Sequence, residues 1–220
     1  MQELSEHHHL GDLTAPYQVF AALPDSQIHL IAKTTAPVTS MAGLQLQPTK
    51  TFANCPQLDV ICVPGGNLGT AQQMTDPETL NFLRHQAQTA QYITAVCTGS
   101  LILAAAGLLD GYKAATHWLF RDQLANLGVE VLSDRVVKDR NRITGGGVTA
   151  GIDFALTVAA ELAGEQTARQ IQLMLEYNPT PPFNAGSPED AGPALTQALE
   201  QFAKPLLDAT QAAVKTVKAC

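Results

Sequence analysis

Cys97 stands between two runs of different character. Before it, Tyr92-Ile93-Thr94-Ala95-Val96 is apolar enough for a buried strand. After it, Thr98-Gly99-Ser100 and then Leu101-Ile102-Leu103-Ala104-Ala105-Ala106 read as a tight turn feeding a buried helix. A cysteine at such a corner is held on a sharp turn with its sulfur pointing outward. The free N–H groups and macrodipole at the start of the helix favour a thiolate. The same corner sets the Thr98 N–H beside the sulfur, where it can stabilise a developing anion. This is the layout of a nucleophile elbow with cysteine as the nucleophile.

A second candidate is the loop Pro64-Gly65-Gly66-Asn67-Leu68-Gly69, which follows a strand-like run. Glycines let a backbone come close to a substrate and turn its N–H groups inward. Gly66 and Thr98 together could supply two N–H donors to an oxyanion hole at Cys97, with Gly65 beside them. His117, in Thr116-His117-Trp118, could pair with the cysteine or serve as a buried structural histidine. The other cysteines differ in setting: Cys62 lies in an apolar run, Cys55 reads as packed, and Cys220 is the last residue. Their spacing suggests neither metal ligation nor a disulfide framework, so a reducing cytoplasm fits best. Three adjacent histidines, His7-His8-His9, cannot all turn inward in a strand and have no acidic or cysteine partner at ligand spacing. A solvated loop is expected there, and no metal is assigned.

The elements that must hold these residues alternate in type. Strands are predicted at about 27–32, 58–63, 92–97 and 142–144, and helices at about 13–22, 76–90, 99–107, 117–127 and 148–163. Asp76-Pro77-Glu78 is a good helix start, with a capping acid and Pro at the first position. Near-continuous apolar strands separated by helices indicate an α/β fold, a mostly parallel sheet covered on both faces. Chemistry in such a sheet gathers where strands end at their carboxyl edges, which is where both candidate loops lie. Gly145-Gly146-Gly147 lets the chain turn tightly beside the site, and Asp153 reads as a helix-surface or subunit-contact residue. The Pro-rich stretch at about 178–190 is expected to be extended, and a final helix is expected at about 193–218, packed outside or on a second subunit. No repeat or linker divides the chain, so residues 1–220 read as one domain.

Composition narrows the function. With 220 residues and 45% hydrophobic content the chain can bury a real core. A net charge of −7 without long Lys/Arg runs argues against nucleic acid as a partner. No apolar stretch is long enough to cross a membrane, and no secretory signal is expected at the N-terminus.

Several motifs together resemble the PfpI-like superfamily, whose fold is that of the class I glutamine amidotransferases. They are Val63-Pro64-Gly65-Gly66, Val96-Cys97-Thr98-Gly99-Ser100, Ala115-Thr116-His117-Trp118 and Thr144 through Leu156. Asp12-Leu13-Thr14-Ala15-Pro16 and the segment from Leu175 to Pro188, including Phe183, are similar to the branch holding isonitrile hydratases and the sensor-like domains of certain AraC-type regulators. The resemblance spans about residues 10–190. It implies a three-layer αβα, flavodoxin-like sandwich, a homodimer, and a small-molecule substrate with no cofactor. It makes Cys97 the nucleophile, Asp12 the general acid/base, and Thr98 and Gly66 the groups facing the intermediate. The peptidases of the superfamily usually carry a histidine directly after the cysteine, and Thr98 stands there instead. The AraC-type members carry a further helix-turn-helix domain that is not expected in a chain of this length.

The activity implied is hydration of isocyanides to N-substituted formamides. Alternatives are a glyoxalase- or deglycase-like reaction on small dicarbonyls, and a non-catalytic sensor in which Cys97 is oxidised. One stretch departs from the family: Met1 to Gly11, where an apolar first strand belongs, has the single interior apolar residue Leu4. Such a stretch cannot make a strand buried on both faces. The first strand is therefore expected to be atypical or missing, and Asp12 to be mobile or held through an unexpected pairing.

Overall fold

The computed structural model describes residues 2–3 as backbone, and residues 10–40 and 42–219 throughout. In chain order its elements are β1 (Gln2–Glu3), α1 (Leu10–Phe20), β2 (Leu30–Ala32), β3 (Val38–Thr39), β4 (Gln45–Leu46), β5 (Lys50–Thr51), β6 (Val60–Val63), α2 (Leu68–Gln73) and α3 (Pro77–Ala87). Next come β7 (Tyr92–Val96), α4 (Gly99–Ala105), β8 (Lys113–Ala114), a 3₁₀ turn at Trp118–Phe120, α5 (Arg121–Asn126), β9 (Glu130–Val131), β10 (Val136–Asp139) and β11 (Arg142–Gly145). The chain closes with α6 (Ala150–Ala163), α7 (Glu165–Met174), α8 (Pro188–Ala191) and α9 (Pro193–Ala219).

The main sheet runs β10-β11-β7-β6-β1-β2-β5, with every pairing parallel except β10 against β11. Side chains alternate across it. Ile61, Val63, Ile93 and Ala95 face the layer built by α3, α4, α5 and α9. Cys62, Val96 and Ile143 face α1, α6 and α7. Period-2 alternation in strands buried on both sides is what a three-layer αβα sandwich requires. Among the described residues no helix is long and apolar enough to cross a membrane.

A first strand is present at Gln2–Glu3 and is polar, so of the two expected alternatives, atypical or missing, the first holds. Gln2 pairs with Leu30 on one side and Cys62 on the other, and Glu3 pairs with Ile31. Backbone hydrogen bonding is indifferent to side-chain polarity, so two polar residues can fill a central slot. Leu4 and His7-His8-His9 lie outside the described residues, as does Cys220.

Several elements exceed the sequence reading, among them short strands at β3, β4, β5, β8, β9 and β10. The loop at 64–69 runs into α2, and α7 follows Gly164, whose φ of 85° breaks the helix begun by α6. Only Ala168 and Ile171 of α7 are buried, and the sequence reading did not include this helix. The 3₁₀ turn occupies the start of the helix expected at 117–127. The Pro-rich stretch has no regular structure until α8, and α9 runs on to Ala219.

Helix α1 is fastened to α6. Its Phe20 meets Phe154 edge to face, with ring centroids 6.4 Å apart. Gly151 of α6 sits against Ala15 and Pro16, where any Cβ would come within 3.2 Å of the proline ring. Phe154 also fills the space beside Gly145 and is fully buried. Phe154→Ala is therefore expected to lower stability by about 3–5 kcal/mol in urea unfolding, through the cavity left between α1, α6 and the sheet.

Candidate active site

Cys97 has φ 59°, a left-handed backbone that non-glycine residues rarely take. Such a conformation persists only where its surroundings enforce it. Here the Cys97 N–H is shared between the carbonyls of Gly146 at 2.8 Å and Gly145 at 3.1 Å. The Cys97 carbonyl accepts from Thr116 Oγ1 at 2.9 Å. The strand beneath leaves no room behind the elbow: a Cβ on Gly99 would lie 2.1 Å from the Val63 carbonyl oxygen. The turn predicted from sequence is thus clamped from three sides.

Asp12, in the first turn of α1, lies beside the Cys97 thiol and is wholly buried. Adjacent Gly11 packs so closely on Val148 that a Cβ would come within 2.6 Å of it. The carboxyl is placed by the seat of α1 on α6 and the loop before it. Among the described residues neither carboxyl oxygen closes a hydrogen bond of ordinary geometry. The groups facing it are the Cys97 thiol and the Gly65 N–H. Burial pushes its pKa up to about 7, and those two neighbours only partly offset the burial.

The thiol is also held protonated. Burial pushes the Cys97 pKa well above its usual value, and the neighbouring Asp12 charge adds to the rise. The N–H and hydroxyl of Thr98 act in the opposite sense. The helix N-terminus was expected to depress this pKa. With Cys97 1% exposed, desolvation outweighs the start of a seven-residue helix.

Gly65 and Gly66 both lie against Thr98, as expected, but each for its own reason. A Cβ on Gly65 would lie 2.6 Å from the Thr98 nitrogen and 2.8 Å from Asp12 Oδ2, so the backbone must be bare there. The Gly66 N–H donates to Thr98 Oγ1 at 2.9 Å and is not aimed at the substrate space as an oxyanion donor. His117 caps the 3₁₀ turn, its Nδ1 accepting from the Leu119 N–H, and its ring packs near Trp118, Phe120 and Gly147.

A cavity of about 720 Å³ opens over Cys97 and Thr98. His117, Trp118 and Phe120 form part of its wall, and Leu199, Phe202 and Leu206 of α9 form another part. Among the described residues the wall carries no Asp, Glu, Lys or Arg. Phe183 of the Pro-rich segment is exposed and lies off this wall, and Asp153 binds Arg135 and the Tyr177 hydroxyl on the protein surface. Cys55 and Cys97 are free thiols, and the described residues gather no metal-binding cluster.

The sequence profile of the DJ-1/PfpI family matches residues 5–161, most of the chain. The chain belongs to the DJ-1/PfpI family. Within this family it is 57% identical, over 89% of its own length and 86% of the relative's, to a Pseudomonas putida protein named isonitrile hydratase. It is 36% identical over 68% of its length to the Pseudomonas aeruginosa transcriptional regulator GbdR, covering 41% of that protein. The crystal structure of a ThiJ/PfpI family protein from Pseudomonas syringae superposes with a TM-score of 0.94 at 45% identity, covering 97% of this chain and 88% of that one.

Sequence reasoning missed Thr70 of α2, whose buried hydroxyl lies 2.8 Å from Thr98 Oγ1. Its spacing of four residues from Gly66 was the available signal, masked because the segment read as a loop.

The raised pKa of Asp12 links the site to stability. Unfolded, the carboxyl loses its proton near 3.8; folded, it keeps it up to about 7. Between these values the folded state binds more protons, so stability falls as pH rises through the window, and the loss is complete above it. Asp12→Asn removes this penalty. The variant is expected to gain on the order of a few kcal/mol over the parent at pH values above 7, shrinking to little near 4, measured by urea unfolding across pH.

Proposed function

We propose that this protein is an isonitrile hydratase, a hydro-lyase adding water to R–N≡C to give an N-substituted formamide, with Cys97 as nucleophile and Asp12 as general acid/base. The observation that carries this reading is the 57% identity over nearly the full length of both chains to the Pseudomonas putida isonitrile hydratase. The site supports it with a thiol and a carboxyl in contact, both buried, beneath an uncharged cavity.

The chemistry follows from the protonation states. Near neutral pH the sulfur is a thiol and Asp12 is divided between acid and carboxylate. The carboxylate takes the thiol proton as sulfur bonds the terminal carbon of the isocyanide, then delivers that proton to the same carbon, leaving a thioimidate, R–N=CH–S–Cys97. Asp12, again a carboxylate, draws a proton from water attacking the carbon and passes it to nitrogen. The hydroxyl proton then returns through Asp12 to sulfur as the C–S bond breaks and R–NH–CHO leaves. Every proton passes through one carboxyl, so these steps require no metal or organic cofactor. A largely apolar wall without carboxylate, lysine or arginine disfavours charge on R and favours alkyl or aryl groups.

We also read the protein as a cytoplasmic homodimer. The thiols of Cys55 and Cys97 support the compartment, and the exposed Leu173, Met174 and Phe183 leave apolar surface for a partner.

Incubation with an alkyl or aryl isocyanide is expected to yield the formamide by chromatography. Cys97→Ala should abolish turnover while Cys62→Ala retains it; equal rates in the two would overturn the assignment. Turnover of methylglyoxal without any formamide would replace this reading with dicarbonyl chemistry. Reversible oxidation of Cys97 with no product from either substrate class would replace it with sensing.

The pH profile offers a separate check. Because the ionised form of Asp12 starts the reaction, kcat/KM should rise with pH and level off above an apparent pKa near 7 belonging to the Asp12–Cys97 pair. Asp12→Asn should lose roughly 10²–10⁴-fold in rate along with this dependence. A parent profile flat from acid to neutral pH would contradict the role given to Asp12.

A further inference from the structure

Thr98 Oγ1 has more neighbours than one hydroxyl can serve. The Gly66 N–H donates to it at 2.9 Å, the Gly66 carbonyl oxygen lies 2.8 Å away, and Thr70 Oγ1 lies 2.8 Å away. It also faces the Cys97 sulfur. A hydroxyl offers one proton and two acceptor lone pairs. With one lone pair taken by the Gly66 N–H, the Thr98 proton must choose between the Gly66 carbonyl and the sulfur.

Thr70 can decide that choice. Its buried hydroxyl reaches both the Gly66 carbonyl, at 3.0 Å, and Thr98 Oγ1. A threonine bonding the carbonyl four residues back is ordinary helix behaviour and explains the first contact. It does not explain the second, which joins α2 to the elbow across 28 positions of sequence. When Thr70 donates to Thr98 Oγ1, the Thr98 proton falls on the Gly66 carbonyl. When Thr70 turns to that carbonyl, the Thr98 proton is released to the sulfur. Both arrangements make three hydrogen bonds, so the exchange costs little when sulfur is charged and able to accept.

We propose that Thr70 is a positioning residue for Cys97: with Thr98 it forms a two-hydroxyl relay that turns a donor onto the sulfur when the thiolate forms and withdraws it when the thiol is restored. Two O–H bonds rotate and no proton changes its oxygen. The proposal rests on Cys97 as the nucleophile and not on which electrophile it attacks.

The test is alkylation of Cys97 by iodoacetamide from neutral pH upward, followed by peptide mass spectrometry with Cys55 as the internal standard. Thr70→Val should slow alkylation of Cys97 roughly tenfold and move its pH midpoint up by about one unit, with Cys55 unchanged. Thr70→Ser should alkylate as the parent does. Thr98→Val should show a loss of similar size, and the double variant should be no slower than Thr98→Val, because the relay has lost its outlet. A folded Thr70→Val at the parental rate, or losses that add in the double variant, would overturn the proposal. Should Thr70→Val fail to fold, Thr70→Ala against Thr70→Ser carries the same contrast, and equal rates in that pair would overturn it. Isocyanide turnover is not part of the readout, so failure of the hydratase reading leaves this result intact.

Discussion

One buried proton between Asp12 and Cys97 organises this protein. Two groups that are acidic in water sit side by side with little solvation: burial makes both harder to ionise, and a charge on Asp12 holds the Cys97 proton more tightly still. A site with both groups charged would be prohibitively costly, so it passes between a neutral pair and a single negative charge. That constraint makes a carboxyl with ordinary water chemistry into a base and acid that work near neutral pH. It also explains why the carboxyl carries a stability cost that a purely structural aspartate would not.

The frame around the pair is rigid where it must be. The left-handed backbone of Cys97 is enforced by the carbonyls of Gly145 and Gly146 and by Thr116, all from the strand end and loops beyond β7. Asp12 arrives on α1, a helix whose Gly11, Pro16 and Phe20 are pressed against the loop before α6 and α6 itself. That helix contact secures the alignment of Asp12. Between the two, Gly65 supplies an absence: any side chain would separate Asp12 from Thr98.

Much of this was legible in the sequence, for definite reasons. An apolar pentapeptide, a cysteine and a glycine turn into an apolar helix identify the elbow because burial on both faces and a sharp corner each leave a residue pattern. The four main parallel strands and the large helices show for the same reason. Asp12 was different: on local grounds it was an ordinary helix-start acid, and only the resemblance to a family tied it to Cys97. The direction of the Cys97 pKa was misjudged because the sequence shows a helix start but not how completely a sulfur is covered. Gly66 was misjudged because a glycine reveals backbone freedom without revealing which acceptor its N–H meets. Thr70 stayed hidden because its helix is short, and β1 because main-chain pairing leaves no side-chain signature.

The most direct test is infrared difference spectroscopy of the resting protein across pH, reading the Asp12 carboxylic C=O stretch and the Cys97 S–H stretch, each assigned by its loss in Asp12→Asn or Cys97→Ser. The account predicts that the carboxylic band fades through an apparent pKa near 7 while the S–H band persists above it. A thiolate at neutral pH beside a carboxylic acid that stays protonated would contradict it.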